Sequence, residues 1–181
     1  NPRSYATTTS YETFDQPSTD APVSIAAPET VTTTISRDPY GKPLSITRSG
    51  TYGGNAVTAT RSYVYDLFQM LCKAVNPESG ATIVDYDGAG NVAWSTDGSV
   101  LTSLTCDRAG VDPADKTSFT YDGRNRVIAR ATPGGTADVL TEYFDDGAVK
   151  KLTAANPGGY NVVTDYTYNQ RRLLTGETQT N

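Results

Sequence analysis

The sequence predicts an all-β fold: tandem β-hairpins laid side by side in a long, mostly antiparallel sheet. The first observation is a phrase that recurs along the chain, in which an aromatic pair or an apolar stand-in is followed by Asp, a Gly/Asn turn and an aliphatic residue. It reads Tyr63-Val64-Tyr65-Asp66, Val84-Asp85-Tyr86-Asp87, Leu104-Thr105-Cys106-Asp107, Phe119-Thr120-Tyr121-Asp122 and, with Asn for Asp, Tyr166-Thr167-Tyr168-Asn169. Looser copies stand at Thr13-Phe14-Asp15, Ile35-Ser36-Arg37-Asp38 and Tyr143-Phe144-Asp145. The second observation is spacing: the anchors fall at 15, 38, 66, 87, 107, 122, 145 and 169, with most steps between 20 and 24 residues. That interval holds a hairpin, its return strand and a connecting turn, and self-similarity at such a period marks a repeat protein. The steps of 28 and 15 read as a loop insertion and a deletion. The third observation is composition, because Tyr, Thr and Val suit a half-buried pleated surface.

Taken in order, residues 1–30 form a Thr/Ser/Pro-rich segment in which Pro17, Pro22 and Pro28 interrupt any helix. A weak first repeat is expected there, with strands at 9–14 and 23–27. From 31 to 181 lie the hairpin repeats proper, with alternating runs at 31–36, 44–48, 56–65, 71–75, 82–86 and 92–95. Further runs follow at 100–106, 116–121, 127–131, 139–144, 149–154, 161–168 and 173–178. The nearest approach to a helical period, at 66–75, occupies a strand-turn-strand slot of the repeat.

The turns explain the recurring Asp. A short carboxylate at a strand end accepts hydrogen bonds from backbone N–H groups a few residues on, while Gly or Asn nearby tolerates positive φ. Asp87-Gly88-Ala89-Gly90-Asn91 and Asp122-Gly123-Arg124-Asn125 show this most clearly, and Asp107-Arg108-Ala109-Gly110 and Asp38-Pro39-Tyr40-Gly41 follow the same grammar. A second, Gly/Pro-rich connector type stands at Asn76-Pro77-Glu78-Ser79-Gly80, Thr132-Pro133-Gly134-Gly135 and Asn156-Pro157-Gly158-Gly159. The repeat anchors are therefore Tyr65, Asp66, Tyr86, Asp87, Asp107, Tyr121, Asp122, Tyr143, Asp145, Tyr168 and Asn169, all in structural roles.

Composition also narrows function. Of 181 residues 36% are hydrophobic, with 12 Tyr against 4 Phe, which implies a thin core. The net charge is −5, and residues 61–119 hold four basic side chains against eight acidic ones. Such a surface argues against nucleic acid, whose backbone needs a basic groove. His is absent, which removes triad and zinc-hydrolase chemistry from this chain. No transmembrane run and no signal peptide is present, so the chain is expected to be a piece of a longer protein whose export signal lies elsewhere. Two cysteines make no disulfide framework. Cys106 takes the place of the repeat tyrosine and reads as a small buried filler, with a single Cys72–Cys106 bridge left open.

The phrase Phe119-Thr120-Tyr121-Asp122-Gly123-Arg124-Asn125-Arg126-Val127 resembles the Tyr-x-Tyr-Asp-x-x-Gly-Arg-Leu pattern of the Rhs/YD repeats, with Asn in the Gly place. Tyr86-Asp87-Gly88-Ala89-Gly90-Asn91-Val92 and Tyr65-Asp66-Leu67-Phe68-Gln69-Met70-Leu71 fit less fully, and the resemblance covers roughly residues 9–178. This family includes bacterial polymorphic toxins, the C component of insecticidal Tc toxins and animal teneurins. The resemblance implies a sheet that curls into part of a spiral β-shell, secreted or at the cell surface, enclosing or displaying a C-terminal toxin domain. Its implied partners are the rest of the parent polypeptide and that cargo. The family's self-cleaving Asp-Pro-x-Gly ending is echoed at Asp38-Pro39-Tyr40-Gly41, which stands among further repeats and reads as a turn.

Sharper readings meet simpler ones. Asp85 and Asp87 share a strand face at a separation compatible with a glycosidase pair, but Asp87 is a turn anchor, so no catalytic residue is assigned. Residues 85–90 echo a calcium loop, yet Ala89 and Thr96 occupy the fifth and twelfth positions, where oxygen ligands are needed. No metal and no cofactor are expected. The off-register aromatics Tyr40, Tyr52, Trp94 and Tyr160 are the candidates for contact with a cell-surface glycan or protein, as an adhesion module would require, with the insertion around Tyr52-Gly53-Gly54 foremost.

Overall fold

The structure, a computed structural model, describes residues 6–11, 21–133, 138–155 and 158–181. Fourteen strands make it up. The first seven are β1 (Thr8–Tyr11), β2 (Pro22–Ala26), β3 (Thr32–Arg37), β4 (Pro43–Tyr52), β5 (Asn55–Tyr65), β6 (Leu71–Asn76) and β7 (Gly80–Tyr86). The second seven are β8 (Val92–Ser99), β9 (Thr117–Tyr121), β10 (Val127–Ala131), β11 (Asp138–Tyr143), β12 (Val149–Ala155), β13 (Val162–Tyr168) and β14 (Leu174–Thr180). They lie in one sheet in strict chain order, β1 to β14, so every strand has its sequence neighbours beside it. The all-β tandem-hairpin expectation is thereby met. No helix among the described residues is long and apolar enough to cross a membrane.

The chain divides into two compact units, one of Asn1–Ile83 with Asp97–Asp107 and one of Val84–Thr96 with Arg108–Asn181. In the first, the expected insertion after Thr47 is an extension of one hairpin. β4 and β5 pair in register from Ser45↔Ser62 to Tyr52↔Asn55. The turn between them is Gly53-Gly54, with φ of 57° and 81°. Two positive φ values in a two-residue loop match the right-handed twist of the flanking strands, and Gly adopts them without steric cost. Asn76-Pro77-Glu78-Ser79-Gly80, expected as a connector between units, is itself a hairpin loop, since Asn76 pairs with Gly80 across it. Gly80 has no room for a side chain: a Cβ there would meet the Ser99 carbonyl oxygen at 2.8 Å.

In the second unit β9 pairs with β10, β11 with β12 and β13 with β14, each hairpin carrying a register shift at its turn. The strand expected at 100–106 does not form. β8 pairs directly with β9, Trp94 opposite Ser118 and Ser95 opposite Thr117, so the sheet leaves no slot for it. The intervening chain instead runs through two single-turn 3₁₀ segments, Arg108–Gly110 and Pro113–Asp115, the second capped where the Ala114 N–H donates to Asp112 Oδ1 at 2.8 Å. At the N-terminal end, expected residues Phe14-Asp15 lie outside the described residues. So do Gly134-Gly135 and Asn156-Pro157 of the two later connectors.

The core is thin. Among the described residues the buried hydrophobic side chains are Cys72, Ala81, Ile83 and Val111, joined by the polar Lys73 and Thr96. Most strand residues are half-buried, as expected where Thr and Tyr carry the cross-strand contacts.

Candidate functional site

The candidate site is the hairpin junction, because that is where the recurring residues meet. Each turn is closed by the backbone of the residue that follows its strand: the N–H of Asp38, Asp66, Asp87, Asp122 and Asn169 donates to the carbonyl four residues on, at 2.8–3.0 Å. The side-chain Oδ1 of the same residue then accepts from the backbone N–H groups two and four residues on. These are Tyr40 and Lys42 for Asp38, Phe68 and Met70 for Asp66, Ala89 and Asn91 for Asp87, Arg124 and Arg126 for Asp122, and Arg171 and Leu173 for Asn169. The third residue after the anchor takes positive φ: Gly41 82°, Gln69 64°, Gly90 85°, Asn125 58° and Arg172 64°. One oxygen thus satisfies two donors that the bend would otherwise strand.

These hydrogen bonds stabilise the ionised form. The Asn91 amide and backbone N–H hold the Asp87 carboxyl below its ordinary value. The Arg126 side chain, 2.6 Å from Asp122, holds that carboxyl at about 2. A carboxylate so placed is a turn fastener and a poor proton donor. Asp85, beside Asp87 at the end of β7, is ion-paired with Arg108 at 3.0 Å.

The repeat tyrosine has a task beyond packing. Tyr65 Oη donates to the Pro43 carbonyl at 3.1 Å, Tyr121 Oη to Val92 at 2.9 Å and Tyr143 Oη to Val127 at 2.9 Å. In each case the acceptor opens the return strand of the preceding hairpin, so one hydroxyl ties two hairpins. Burial raises the pKa of Tyr65 and Tyr121, which keeps both phenols protonated as donors. Cations of the preceding turn cover the rings: Lys42 lies 4.9 Å from the Tyr65 centroid and Arg126 4.3 Å from that of Tyr143. Tyr168 meets Phe144 edge-on at 6.1 Å.

Two anchors differ from expectation. At the fifth turn Phe144, one residue earlier than Asp145, holds the anchoring place: its N–H donates to Ala148 and its carbonyl accepts from Gly147. The Phe144 ring packs on Tyr168, and Asp146 supplies the side-chain acceptor to the Ala148 N–H at 3.1 Å. Asp107 closes no hairpin. It has φ 49°, and its carboxylate accepts from the Ser103 and Thr105 hydroxyls and from Lys73 Nζ at 2.5 Å. Those contacts hold it well below the usual carboxylate range. The filler reading of Cys106 is also replaced, because Cys72 and Cys106 form a disulfide. Together these contacts make a clasp that pins the 100–107 loop to β6. Sequence reasoning missed Lys73, although the signal was there: Cys72-Lys73 and Cys106-Asp107 are two adjacent pairs at the same separation of 34.

The off-register aromatics fall on separate elements. Tyr40, Tyr52 and Tyr160 are 76%, 84% and 75% exposed, whereas Trp94 is half-buried with Lys116 Nζ 4.0 Å from its ring centroid. Among the described residues no group of three or more His, Cys, Asp or Glu is arranged to hold a metal ion.

No protein-family model matches the chain, and no curated protein matches it. Solved structures do. The crystal structure of TcdB2-TccC3-TEV aligns with 96% of this chain at a TM-score of 0.62 and 14% identity. The crystal structure of TcdB2-TccC3-Cdc42 aligns with 92% at 0.51 and 13%, and that of TcdB2-TccC3 without its hypervariable C-terminal region with 94% at 0.50 and 13%. This chain spans only about 10% of the length of each. At such identity the likeness concerns fold, and in strand arrangement the chain has the fold of a stretch of the TcdB2-TccC3 chains, the fold its resemblance to Rhs/YD repeats implied.

Proposed function

We propose that this chain is a non-catalytic structural segment, a stretch of β-shell wall in a larger secreted or cell-surface polypeptide, whose task is to enclose or display a C-terminal cargo domain. The observation that carries the reading is the hairpin-to-hairpin tie of Tyr65, Tyr121 and Tyr143, which fastens each of those three hairpins to the one before it. A row built this way is stiff along the sheet, as a wall must be, and the likeness to TcdB2-TccC3 chains supports the same use. The repeat anchors Tyr65, Asp66, Tyr86, Asp87, Tyr121, Asp122, Tyr143, Tyr168 and Asn169 act structurally in this reading. The Cys72–Cys106 disulfide supports an oxidising destination outside the cytosol.

The test is cryo-electron microscopy of the parent polypeptide. Density for a cargo inside a closed wall that includes residues 1–181 supports containment; an open array with no cavity overturns it. A second reading, adhesion to a glycan or protein, draws on the exposure of Tyr40, Tyr52 and Tyr160. A glycan array with no reproducible hit counts against it.

A further inference from the structure

The face of β3, β4 and β5 that carries Thr33, Arg48 and Ala59 in one row has two adjoining hollows, both within the first compact unit. One, of about 230 Å³, is lined among others by Val31, Gly50, Tyr52 and Val57. The other, of about 200 Å³, is lined by Arg61 and Glu78 with Thr33 and Ile46. Arg48 and Ala59 line both, so the hollows meet at the Arg48 side chain. Each is smaller than the roughly 300–1,000 Å³ typical of drug-sized ligand sites, so the occupant must be small.

Charge and shape give its chemistry. Ile46 stands opposite Arg61 and Arg48 opposite Ala59, so the two arginines are diagonal neighbours on one face of an antiparallel pair. Both side chains are exposed, and their common charge favours a small anion beside them. Elsewhere in this unit Lys73 is paired with Asp107 and Lys42 with Asp38, while Arg37 donates to the Gly41 carbonyl. No described carboxylate lies within ion-pair distance of the Arg48 or Arg61 side chain, and neither guanidinium makes a hydrogen bond with a described residue. With Glu78 on the same lining, two guanidinium groups and one carboxylate leave a surplus of one positive charge. A guanidinium offers a planar fork that matches a carboxylate. The adjoining hollow offers the opposite surroundings: valine side chains, the Tyr52 ring and a floor at Gly50, where an added Cβ would approach Val31 Cγ2 to 3.4 Å.

We propose that this groove binds a small aliphatic monocarboxylate, its head between Arg48 and Arg61 and its chain over Gly50 against Val31, Val57 and Tyr52. The site is independent of the wall function, so either reading can fail alone.

The test is titration of the ¹⁵N-labelled 181-residue chain with octanoate, followed by NMR. Acetate supplies the head without the chain and 1-octanol the chain without the charge. Saturable shifts at the Arg48 and Arg61 Nε–H groups and the Ala59 amide are expected with octanoate. Acetate should bind at least tenfold more weakly, and octanol should leave the guanidinium signals unmoved. R48Q/R61Q should weaken octanoate at least tenfold. Gly50→Val fills the apolar half and should weaken octanoate while leaving acetate unchanged; Gly50 lies in β4 and is not among the positive-φ glycines, so the β-branched residue is tolerated there. Absence of saturation, equal affinity for acetate and octanoate, or undiminished octanoate binding by R48Q/R61Q would each overturn the assignment.

Discussion

At the scale of single residues, the junction is two oxygen atoms with different duties. The tyrosine hydroxyl ties hairpins, so Tyr121→Phe removes one donor and leaves the Val92 carbonyl without it. A loss of about 1–2 kcal/mol is expected, read as a lowered urea midpoint with an unchanged slope. The Asp oxygen closes a turn, and its charge makes stability depend on pH. Asp122 is held at about 2 against an ordinary 3.8, so its contribution is complete above that ordinary value and is lost as pH falls through about 2. Asn169 does the same turn-closing work without a charge, accepting from Arg171 and Leu173. Asp122→Asn should therefore keep the turn, forfeit the Arg126 pair, and show a smaller drop in urea midpoint between pH 6 and pH 3 than the parent chain. An equal drop in both would place the acid sensitivity elsewhere.

At the scale of elements, the hairpins were legible because alternation and turn chemistry agree along most of the chain. Each Asp with a positive-φ residue three places on marks both where a strand ends and how it reverses. What the phrase does not encode is whether a strand has a place in the sheet. Leu104-Thr105-Cys106-Asp107 has the right letters, but β9 already occupies the edge beside β8, and the segment folds against β6 through a disulfide. Likewise one residue of slippage at Phe144 was invisible, because the phrase marks its anchor by an Asp, whereas here the backbone of Phe144 closes the turn and Asp146 supplies the carboxylate. The tyrosine ties were hidden for a related reason: their acceptors are backbone carbonyls, which carry no sequence signature. The clasp can be tested directly. Reduction, or Cys72→Ala with Cys106→Ala, frees a link across 34 residues and should cost about 3–4 kcal/mol in denaturant unfolding. Asp107→Ala strands the buried Lys73 ammonium, so it should destabilise more than Asp107→Ala combined with Lys73→Met.

At the scale of the whole molecule, the sheet is open: β1 and β14 each have one neighbour in the strand order. Unpaired strand edges are templates for further pairing. The isolated chain should therefore associate with rising concentration, and Thr178→Lys on the exposed β14 should shift that onset upward. A monodisperse monomer across the whole concentration range in light scattering would defeat this prediction.

The tyrosine ties also have a direction. In these three pairs the acceptor carbonyl precedes its hydroxyl in the chain, Pro43 before Tyr65, Val92 before Tyr121 and Val127 before Tyr143. A hairpin carrying such a tyrosine thus leaves the ribosome with the dock for its hydroxyl already synthesised. The wall can be laid course by course in the order of translation, with each finished course serving as the template for the next.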